Sequence, residues 1–432
     1  MNFQWSRTRW VNLRCLLSWR HYQAQSLRRL LRRLTRARVR GFESLEPRML
    51  LAAHLSYAEG VGELPLTLTY DPASSQYRLV DSVGQVVSSA SGASANGRVE
   101  ITGTEADDVL LLDLDYLPAL QIDFLGGGTD TLAATANADF ALTGSTLTVG
   151  VTTFTLDGFE RAELTGGVSA NTFTFGDVTI PAVAVDGGGG SDTILSTVAD
   201  NAWNIGLGEN VTDAGTLGEA IEFTSVKNIV GGTGIDVFTF ADEASLTGTL
   251  DGGLGSNALD YSAYQSAVTV NLAAQTATGT GGLRNVTGVV GGAGSDTLIG
   301  SASDAVWQIS GADSGFIEDV VEFSGIENIT GSDAGSDFFI IEGEGSISGT
   351  LSGGAGGVDG ILVYAEDGSY SRLNPKSTAG SHAATVHGKA ITYAGLESVL
   401  AGNLTSLVIH GSPLRDMWTL ADDPAVAGQI VL

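Results

Sequence analysis

The sequence predicts an all-β fold, a parallel β-helix or β-roll-like solenoid with about 21 residues per coil. Asp or Asn follows a glycine cluster again and again, with gaps of 22, 41, 21, 44, 21, 39, 41 and 22 residues. These positions are Asp108, Asp130, Asn171, Asp192, Asp236, Asn257, Asp296, Asp337 and Asp359. Every gap is close to one or two multiples of 21, as expected for stacked coils. With 59 Gly and only 8 Pro, the composition is typical of short strands joined by tight turns.

The first residues of the chain form a separate, basic region. Residues 1–50 hold 12 Arg, no Lys and 2 Glu, whereas the remainder holds 9 basic and 47 acidic residues. Leu27, Leu30, Leu31 and Leu34 share one face at helical spacing between arginines. Residues 1–40 are therefore predicted to be a basic amphipathic leader, helical or disordered. The acidic remainder repels nucleic acid and attracts multivalent cations, so no nucleic-acid partner is expected.

The remaining regions follow from changes in pattern along the chain. Residues 54–98 alternate apolar and polar residues and then become rich in Ser, Ala and Gly, which predicts an introductory β segment and a linker. Residues 99–400 carry the glycine turns and form the predicted solenoid. Residues 401–432 repeat the start of that region, so they predict the beginning of a further module in a longer protein. No stretch is long and apolar enough for a membrane span.

Aromatic residues recur after the glycine turns and are predicted to face the core. Phe173 and Phe175 alternate with Thr, as do Phe238 and Phe240. Phe338 and Ile340 are expected to take the same inward places. The period of two in these segments is that of a strand with one buried face.

Residues 41–53 contain a short motif with a known resemblance. Leu45-Glu46-Pro47-Arg48 followed by Met49-Leu50-Leu51 resembles the LEPR-XLL element found near the N-terminus of large, repetitive bacterial proteins. The resemblance implies a sorting or processing signal on a secreted or surface protein. An extracellular or cell-surface location in a bacterium is the corresponding expectation.

Three glycine turns carry a second resemblance. Gly187–Asp192, Gly231–Asp236 and Gly291–Asp296 each read G-G-x-G-x-D before a hydrophobic residue. The motif resembles the calcium-binding repeat of the RTX proteins, here in degenerate, widely spaced copies. The resemblance implies Ca²⁺ as a bound cofactor. The candidate metal ligands are Asp108, Asp130, Asp192, Asp236, Asp296, Asp337 and Asp359.

Calcium binding sets a condition on how these turns are arranged. Ca²⁺ takes 6–8 oxygen ligands, which one turn cannot supply but two stacked turns can. The residues one coil apart are Asp108 with Asp130, Asn171 with Asp192, Asp236 with Asn257, and Asp337 with Asp359. The alternative is that Asp and Asn serve only as turn residues, because their side chains hydrogen-bond nearby backbone. Both interpretations stay open on the sequence alone.

The expected function is structural rather than enzymatic. The five His lie outside the full motifs, and no H-x-x-E-H or G-x-S-x-G arrangement is present. The sequence therefore favours a secreted or surface adhesin-like repeat protein, stiffened by Ca²⁺, whose partners are extracellular polysaccharide or other surface proteins. The alternative is a β-helix polysaccharide lyase or hydrolase that uses an acidic cluster on one face.

Overall fold

The computed structural model describes residues 52–57, 65–92, 97–206, 208 and 211–364, together with 372–375, 381–386, 389–396, 398–402, 408–409, 421–422 and 430–431. The chain divides into two units, Met1–Leu51 and Ala52–Leu432, and every described residue belongs to the second. The predicted leader, residues 1–40, lies outside the described residues. So does nearly all of the LEPR-XLL segment, residues 41–53.

The described part consists of short strands, and none of it is helical. In its first half the strands are β1 (Ala53–Ser56), β2 (Leu66–Asp71), β3 (Gln76–Val80), β4 (Val86–Ser91), β5 (Arg98–Thr102), β6 (Val109–Leu112), β7 (Leu120–Leu125), β8 (Thr131–Thr135), β9 (Phe140–Gly144), β10 (Thr146–Val149), β11 (Thr152–Asp157), β12 (Arg161–Thr165), β13 (Thr172–Val178), β14 (Ala182–Asp186), β15 (Thr193–Ser196), β16 (Asn201–Ile205), β17 (Gly215–Leu217), β18 (Ile221–Thr224), β19 (Asn228–Val230) and β20 (Ile235–Phe240).

The second half continues in the same way. Its strands are β21 (Leu246–Asp251), β22 (Ser256–Asp260), β23 (Thr269–Asn271), β24 (Thr276–Ala277), β25 (Thr280–Arg284), β26 (Gly288–Val290), β27 (Thr297–Ile299), β28 (Ala305–Gly311), β29 (Ser314–Ile317), β30 (Val321–Ser324), β31 (Asn328–Thr330), β32 (Asp337–Ile341), β33 (Thr350–Ser352), β34 (Gly360–Tyr364), β35 (Arg372–Pro375), β36 (Ser381–Val386), β37 (Lys389–Ala394), β38 (Ser398–Gly402), β39 (Val408–Ile409), β40 (Ala421–Asp422) and β41 (Ile430–Val431).

The strands form long sheets in which most neighbours run parallel, as in a β-solenoid. One sheet contains β1, β5, β7, β9–β11, β13, β15, β19, β21 and β25, and a second contains most of the other strands. Parallel pairs such as β6 with β8, β12 with β14, and β20 with β22 join segments 21 or 22 residues apart. The predicted all-β fold with long parallel sheets, of the β-solenoid type, is confirmed in the described residues. In addition, no helix among the described residues has the length and apolarity that crossing a membrane requires.

Antiparallel strands are inserted wherever the spacing between glycine turns is long. Three-stranded meanders β9–β10–β11, β16–β17–β18 and β28–β29–β30 fill the gaps of 41, 44 and 41 residues. The antiparallel pair β23–β24 lies in the gap of 39 residues. The long gaps are therefore not two plain coils with one motif lost. In each of them the chain doubles back before parallel stacking resumes.

One continuous apolar core runs between the sheets, from Ala53 to Tyr393. Phe173, Phe175, Phe238 and Phe240 are buried, as predicted. The prediction for Phe338 and Ile340 was wrong by one residue, because Phe339 and Ile341 are the buried pair. The buried Asp337 sets the phase, and with a period of two the inward places are two and four residues after it.

Candidate functional site

The nine Asp and Asn positions picked out by their spacing are buried where the glycine turns lead into strands. None is more than 4% exposed. We call these nine residues the ladder: Asp108, Asp130, Asn171, Asp192, Asp236, Asn257, Asp296, Asp337 and Asp359. Buried carboxylates need hydrogen-bond or charge partners, so the contacts of the ladder define what it does.

The structure brings together the four pairs that the spacing predicted, through one repeated hydrogen bond. In each pair the backbone N–H of the first residue donates to the side-chain oxygen of the second. The bonds are Asp108 to Asp130 (3.0 Å), Asn171 to Asp192 (2.7 Å), Asp236 to Asn257 (3.2 Å) and Asp337 to Asp359 (2.8 Å). Asp and Asn are thus interchangeable in this contact, because each accepts through an oxygen.

A second bond holds the ladder side chain to its own glycine turn. Asp236 Oδ2 accepts from the Gly232 N–H at 2.9 Å, and Asp296 Oδ2 accepts from the Gly292 N–H at 2.6 Å. Asp108 Oδ2 accepts from the Thr104 N–H at 2.8 Å. Asp296 also accepts from the Val268 N–H with Oδ1 at 2.8 Å, so this one carboxylate cross-links two segments of the chain.

Three further side chains, from later in the chain, accept hydrogen bonds from the backbone N–H groups of ladder residues. This role was not predicted from the sequence. Glu160 accepts from the Asp130 N–H at 2.9 Å, and Glu327 accepts from the Asp296 N–H at 2.7 Å. Thr287 Oγ1 accepts from the Asn257 N–H at 2.9 Å. The signal was the repeated element Gly158-Phe159-Glu160 and Gly325-Ile326-Glu327. Its spacing marked a repeat, but no sequence feature shows that the Glu reaches the turn below.

Asp192 departs from this scheme. The N–H of Gly188, which stands four residues earlier, donates to Asp186 Oδ1 at 3.0 Å instead. Asp192 Oδ2 is consequently buried without a hydrogen-bond partner, the one carboxylate oxygen in that state among the described residues. The Lys227 ammonium donates to the Gly190 carbonyl of the same turn.

The turn at Asn257 has the same arrangement as the turn at Asp192, but its buried side chain is an amide with all its polar atoms bonded. There the Gly253 N–H donates to Asp251 Oδ1 at 3.0 Å, as Gly188 does to Asp186. The ladder residue is Asn, and its Nδ2 donates to the Asn285 carbonyl at 2.9 Å. A neutral side chain that can donate therefore suits this variant of the turn better than a carboxylate does.

The glycines of the motif are required by close contact between turns. Gly255 has φ +89°, and a Cβ there would lie 2.0 Å from the Gly234 carbonyl oxygen. Gly190 has φ +105°, and its Cβ would lie 2.6 Å from the Ser169 carbonyl carbon. Both positions need a left-handed backbone that glycine alone adopts without strain.

Acidic side chains lie close together around the first two ladder residues, Asp108 and Asp130. Burial raises the pKa of Asp130 to about 6, and the nearby carboxylates Asp108, Glu160 and Asp107 act in the same direction. The hydrogen bond from the Asp108 N–H acts against them. Burial also raises the pKa of Tyr57, whose hydroxyl hydrogen-bonds Asp108.

A second deeply placed carboxylate lies at Asp236. Burial raises its pKa, and hydrogen bonds from Asn201 and Gly232 oppose the rise. Trp203 Nε1 lies near this carboxylate but makes no hydrogen bond of good geometry. The equivalent Trp307 Nε1 donates to Asp337 Oδ1 at 3.2 Å.

The ladder oxygens that the motif marks as metal ligands are mostly occupied by hydrogen-bond donors. In the described part, no group of three or more His, Cys, Asp or Glu side chains is placed to hold a metal ion. Most ladder oxygens accept backbone N–H bonds, and Asp296 pairs with Val268 N–H (2.8 Å) instead of with another ladder residue. The oxygen without a partner, at Asp192, is the place where a cation would satisfy an unmet electrostatic need.

An acidic row on an outer sheet face is the alternative place for chemistry. Glu100, Asp123 and Asp157 are cross-strand neighbours on β5, β7 and β11. The central Asp123 is buried, bonded to the Arg98 guanidinium and to Gln121 Nε2 at 2.7 Å. Its oxygens are therefore covered by neighbouring side chains.

Comparison with known proteins gives no family for this chain. No protein-family model matches the sequence, and no curated protein matches it.

Proposed function

We propose that this chain is a non-enzymatic structural protein of the bacterial surface or exterior, built as a solenoid of about 21 residues per plain coil. The basic leader and the LEPR-XLL resemblance of residues 41–53 support export or surface sorting. Extracellular polysaccharide or other surface proteins are the proposed partners, and adhesion is the proposed use.

The observation that carries this proposal is that the ladder side chains are buried and hydrogen-bonded to the backbone. The acidic residues that the motif marks as functional are buried, and their oxygens bind backbone N–H groups of neighbouring turns. Hydrogen bonds donated to a carboxylate contribute about 1.5–3 kcal/mol each, because the acceptor is charged. Side chains used in this way hold coils in register, which is the requirement of a stiff support rather than of a reaction centre.

Calcium enters the proposal most directly at Asp192. Its unpartnered Oδ2 is a hard oxygen donor of the kind that Ca²⁺ prefers. Ligation by Asp108, Asp130, Asp236, Asp296, Asp337 and Asp359 stays a prediction from the motif resemblance, and it would require their oxygens to be shared with N–H donors. When bound, the ion would supply positive charge inside an acidic chain.

The test is a calcium titration of the full chain, followed by calorimetry and by the thermal unfolding midpoint. We expect millimolar Ca²⁺ to raise the Tm of the wild-type protein, and the Asp192→Asn variant to lose most of that rise. Asp319→Asn, which removes an exposed carboxylate elsewhere, is the matched control and should respond as the wild type does. No heat and no change in Tm for the wild type would remove calcium from the proposal while leaving the scaffold intact.

The enzymatic alternative has its own test. The coverage of Asp123 by Arg98 and Gln121 favours a structural ion pair over a catalytic acid. A screen against acidic and neutral polysaccharides is expected to show binding at most, without release of reducing or unsaturated ends. Turnover abolished by Asp123→Asn would overturn the non-enzymatic proposal.

A further inference from the structure

A groove of about 540 Å³ opens beside the meander β28–β29–β30. Its floor is made by the starts of β22 and β26, and its wall by β29 and the turn that follows it. Phe316, Val320 and Ile235 supply apolar surface, and Ile235 is 58% exposed. Its volume lies in the range of sites that hold small ligands or the side chains of a partner.

The meander β16–β17–β18 repeats the strand pairing of β28–β29–β30 and can be compared with it. For this comparison we call β16–β17–β18 the first meander and β28–β29–β30 the second. Thr216 pairs with Glu222, as Phe316 pairs with Glu322. Neighbouring strands continue each row, through Ala184 in the first meander and Gly288 in the second. The two rows can thus be compared position by position.

The comparison shows which features belong to the groove alone. A row here is a set of residues paired side by side on neighbouring strands. The first row consists of Thr216, Glu222, Ala184 and Glu163. The second row consists of Phe316, Glu322, Gly288 and Ala258. In the first row Glu163 is held by Arg161 at 3.0 Å, so a charged pair fills the surface. In the second, Gly288 and Ala258 leave the floor open while Phe316 makes the wall apolar.

The groove is also acidic at its edge. Asp319 and Glu322 line it, both are exposed, and no Lys or Arg lies among the lining residues. Among the described side chains no ion pair involves either carboxylate. An occupant that buries the apolar wall must therefore place a positive charge near two unneutralised carboxylates, or keep them solvated at a cost in affinity.

We propose that this groove docks a cationic, amphipathic segment of a partner polypeptide, with an aliphatic or aromatic side chain against Phe316 and a Lys or Arg at Glu322 and Asp319. The apolar wall provides the contact area, and the carboxylates select for basic sequences. The first meander, with the same acidic edge but no open apolar floor, does not dock such a segment.

The test uses an end-blocked, fluorescent octapeptide of alternating arginine and leucine, and two versions with glutamate or glutamine in place of arginine. Binding to the full chain is measured by anisotropy at 150 mM salt. We expect the arginine peptide to bind at least tenfold more tightly than the other two. Equal binding of the glutamine peptide would mean an apolar occupant, and it would overturn the cationic assignment.

Variants taken from the first meander locate the site. Phe316→Thr with Val320→Ala, which copies Thr216 and Ala220, should weaken binding at least tenfold. Gly288→Ala copies Ala184 and adds a methyl group to the floor, 3.2 Å from the Ala258 Cβ, without removing a contact. It should also weaken binding, and it serves as the test if the double variant folds poorly. Far-ultraviolet circular dichroism and the melting curve of each variant establish that it is folded.

The charge requirement has a matched pair of its own. Glu322→Gln should weaken arginine-peptide binding several-fold, whereas Glu222→Gln, at the equivalent place on the other meander, should leave it unchanged. Equal losses in both variants would mean that the acidic surface attracts the peptide nonspecifically, and the groove assignment would then be wrong.

Discussion

At the scale of single residues, the ladder shows that one side-chain position serves two turns at once. Asp and Asn both occupy it, since only an oxygen is needed to receive the N–H of the preceding coil. What differs is the second side-chain atom. Where the turn N–H is available, a side-chain oxygen accepts it, from Asp at Asp236 and Asp296 or from the amide at Asn171. Where the turn N–H is used elsewhere, as at Asn257, an amide nitrogen that donates satisfies the second atom.

Asp192→Asn is therefore expected to stabilise the protein in the absence of calcium. The new amide keeps an oxygen for the Asn171 N–H and gains a donor. Its expected acceptor is the Ser225 carbonyl, which lies against Gly187 as the Asn285 carbonyl lies against Gly252. Satisfying the buried group should raise the free energy of unfolding by about 1–3 kcal/mol. Urea unfolding in a calcium chelator measures it.

The mirror substitution provides the control. Asn257→Asp removes the donor that now reaches the Asn285 carbonyl at 2.9 Å and leaves a carboxylate oxygen in its place. It should destabilise the protein by a similar amount. If both substitutions change stability in the same direction, the account of the two turns is incorrect.

Asp130 makes stability depend on pH. Its folded pKa of about 6 lies above the ordinary 3.8, so the folded state binds this proton more tightly than the unfolded state. The charged form therefore destabilises the fold above pH 6, and this penalty is lost progressively as pH falls from about 6 toward 3.8. Asp130→Asn removes the penalty, and the shift corresponds to about 2–3 kcal/mol at pH 7.5.

The measurement is the difference in unfolding free energy between Asp130→Asn and wild type across pH. The variant should be the more stable at pH 7.5, and the difference should shrink as pH is lowered to 4.5. Glu219→Gln, at an exposed position, controls for the general loss of negative charge. A difference that does not vary with pH would show that Asp130 does not titrate in this range.

The ladder pairs could be predicted from the sequence because their spacing is that of neighbouring coils. Which atoms bond could not be predicted, since that depends on whether Asp186 or Asp251 takes the turn N–H. Glu160 and Glu327 were also beyond prediction as partners. Their reach across 30 or 31 residues is fixed by the register of stacked strands, not by local pattern.

At the scale of elements, the glycine turns stack because their backbones approach within the distance that a side chain would occupy. Gly255→Ala should be strongly destabilising, since the added methyl would meet the Gly234 carbonyl oxygen at 2.0 Å in a left-handed backbone. We expect a loss of about 3 kcal/mol or more, from the steric contact and the strained φ together.

Gly84→Ala separates the two causes. Gly84 has a closely similar φ, +85°, but no atom lies within 4 Å of its added Cβ. It should cost only about 1–2 kcal/mol, the ordinary penalty of a left-handed residue with a side chain. Urea midpoints of the two variants give the comparison, and equal losses would show that backbone strain alone explains why the turns need glycine.

The meanders mark the limit of element prediction. Their strands are as short as those of the plain coils, and their direction depends on left-handed residues such as Asp213 and Asp313 at the turn before β17 and β29. In the sequence, an Asp at such a position predicts an ordinary loop as well as it predicts a hairpin turn. The uniform spacing of about 21 residues therefore predicted the parallel strand pairs 21 or 22 residues apart, but not the antiparallel insertions.

At the scale of the whole molecule, a chain of net charge −28 folds around a core whose ladder is itself acidic. Among the described side chains, Arg78, Arg98 and Arg161 each form an ion pair with one carboxylate. Most negative charge is thus left to solvent and counter-ions, and self-repulsion opposes the compact state. Anything that screens or binds to these charges should stabilise the fold.

Monovalent salt should consequently raise the melting temperature by several degrees between 10 and 300 mM NaCl, because a shorter Debye length weakens repulsion among surface carboxylates. Sucrose of matched osmolality controls for effects unrelated to charge. A melting temperature that is flat or falls with salt would mean that surface repulsion is not what limits stability.

Divalent ions then separate screening from ligation. At equal ionic strength, Mg²⁺ and Ca²⁺ screen alike, but Mg²⁺ demands stricter octahedral geometry and gives up its waters reluctantly. A Ca²⁺ effect that exceeds the Mg²⁺ effect in the wild type, and equals it in Asp192→Asn, would assign the excess to that turn. If the two ions act equally on both proteins, the acidity of the chain attracts ions only as a diffuse atmosphere, and the hydrogen-bonded ladder alone sets the register of the coils.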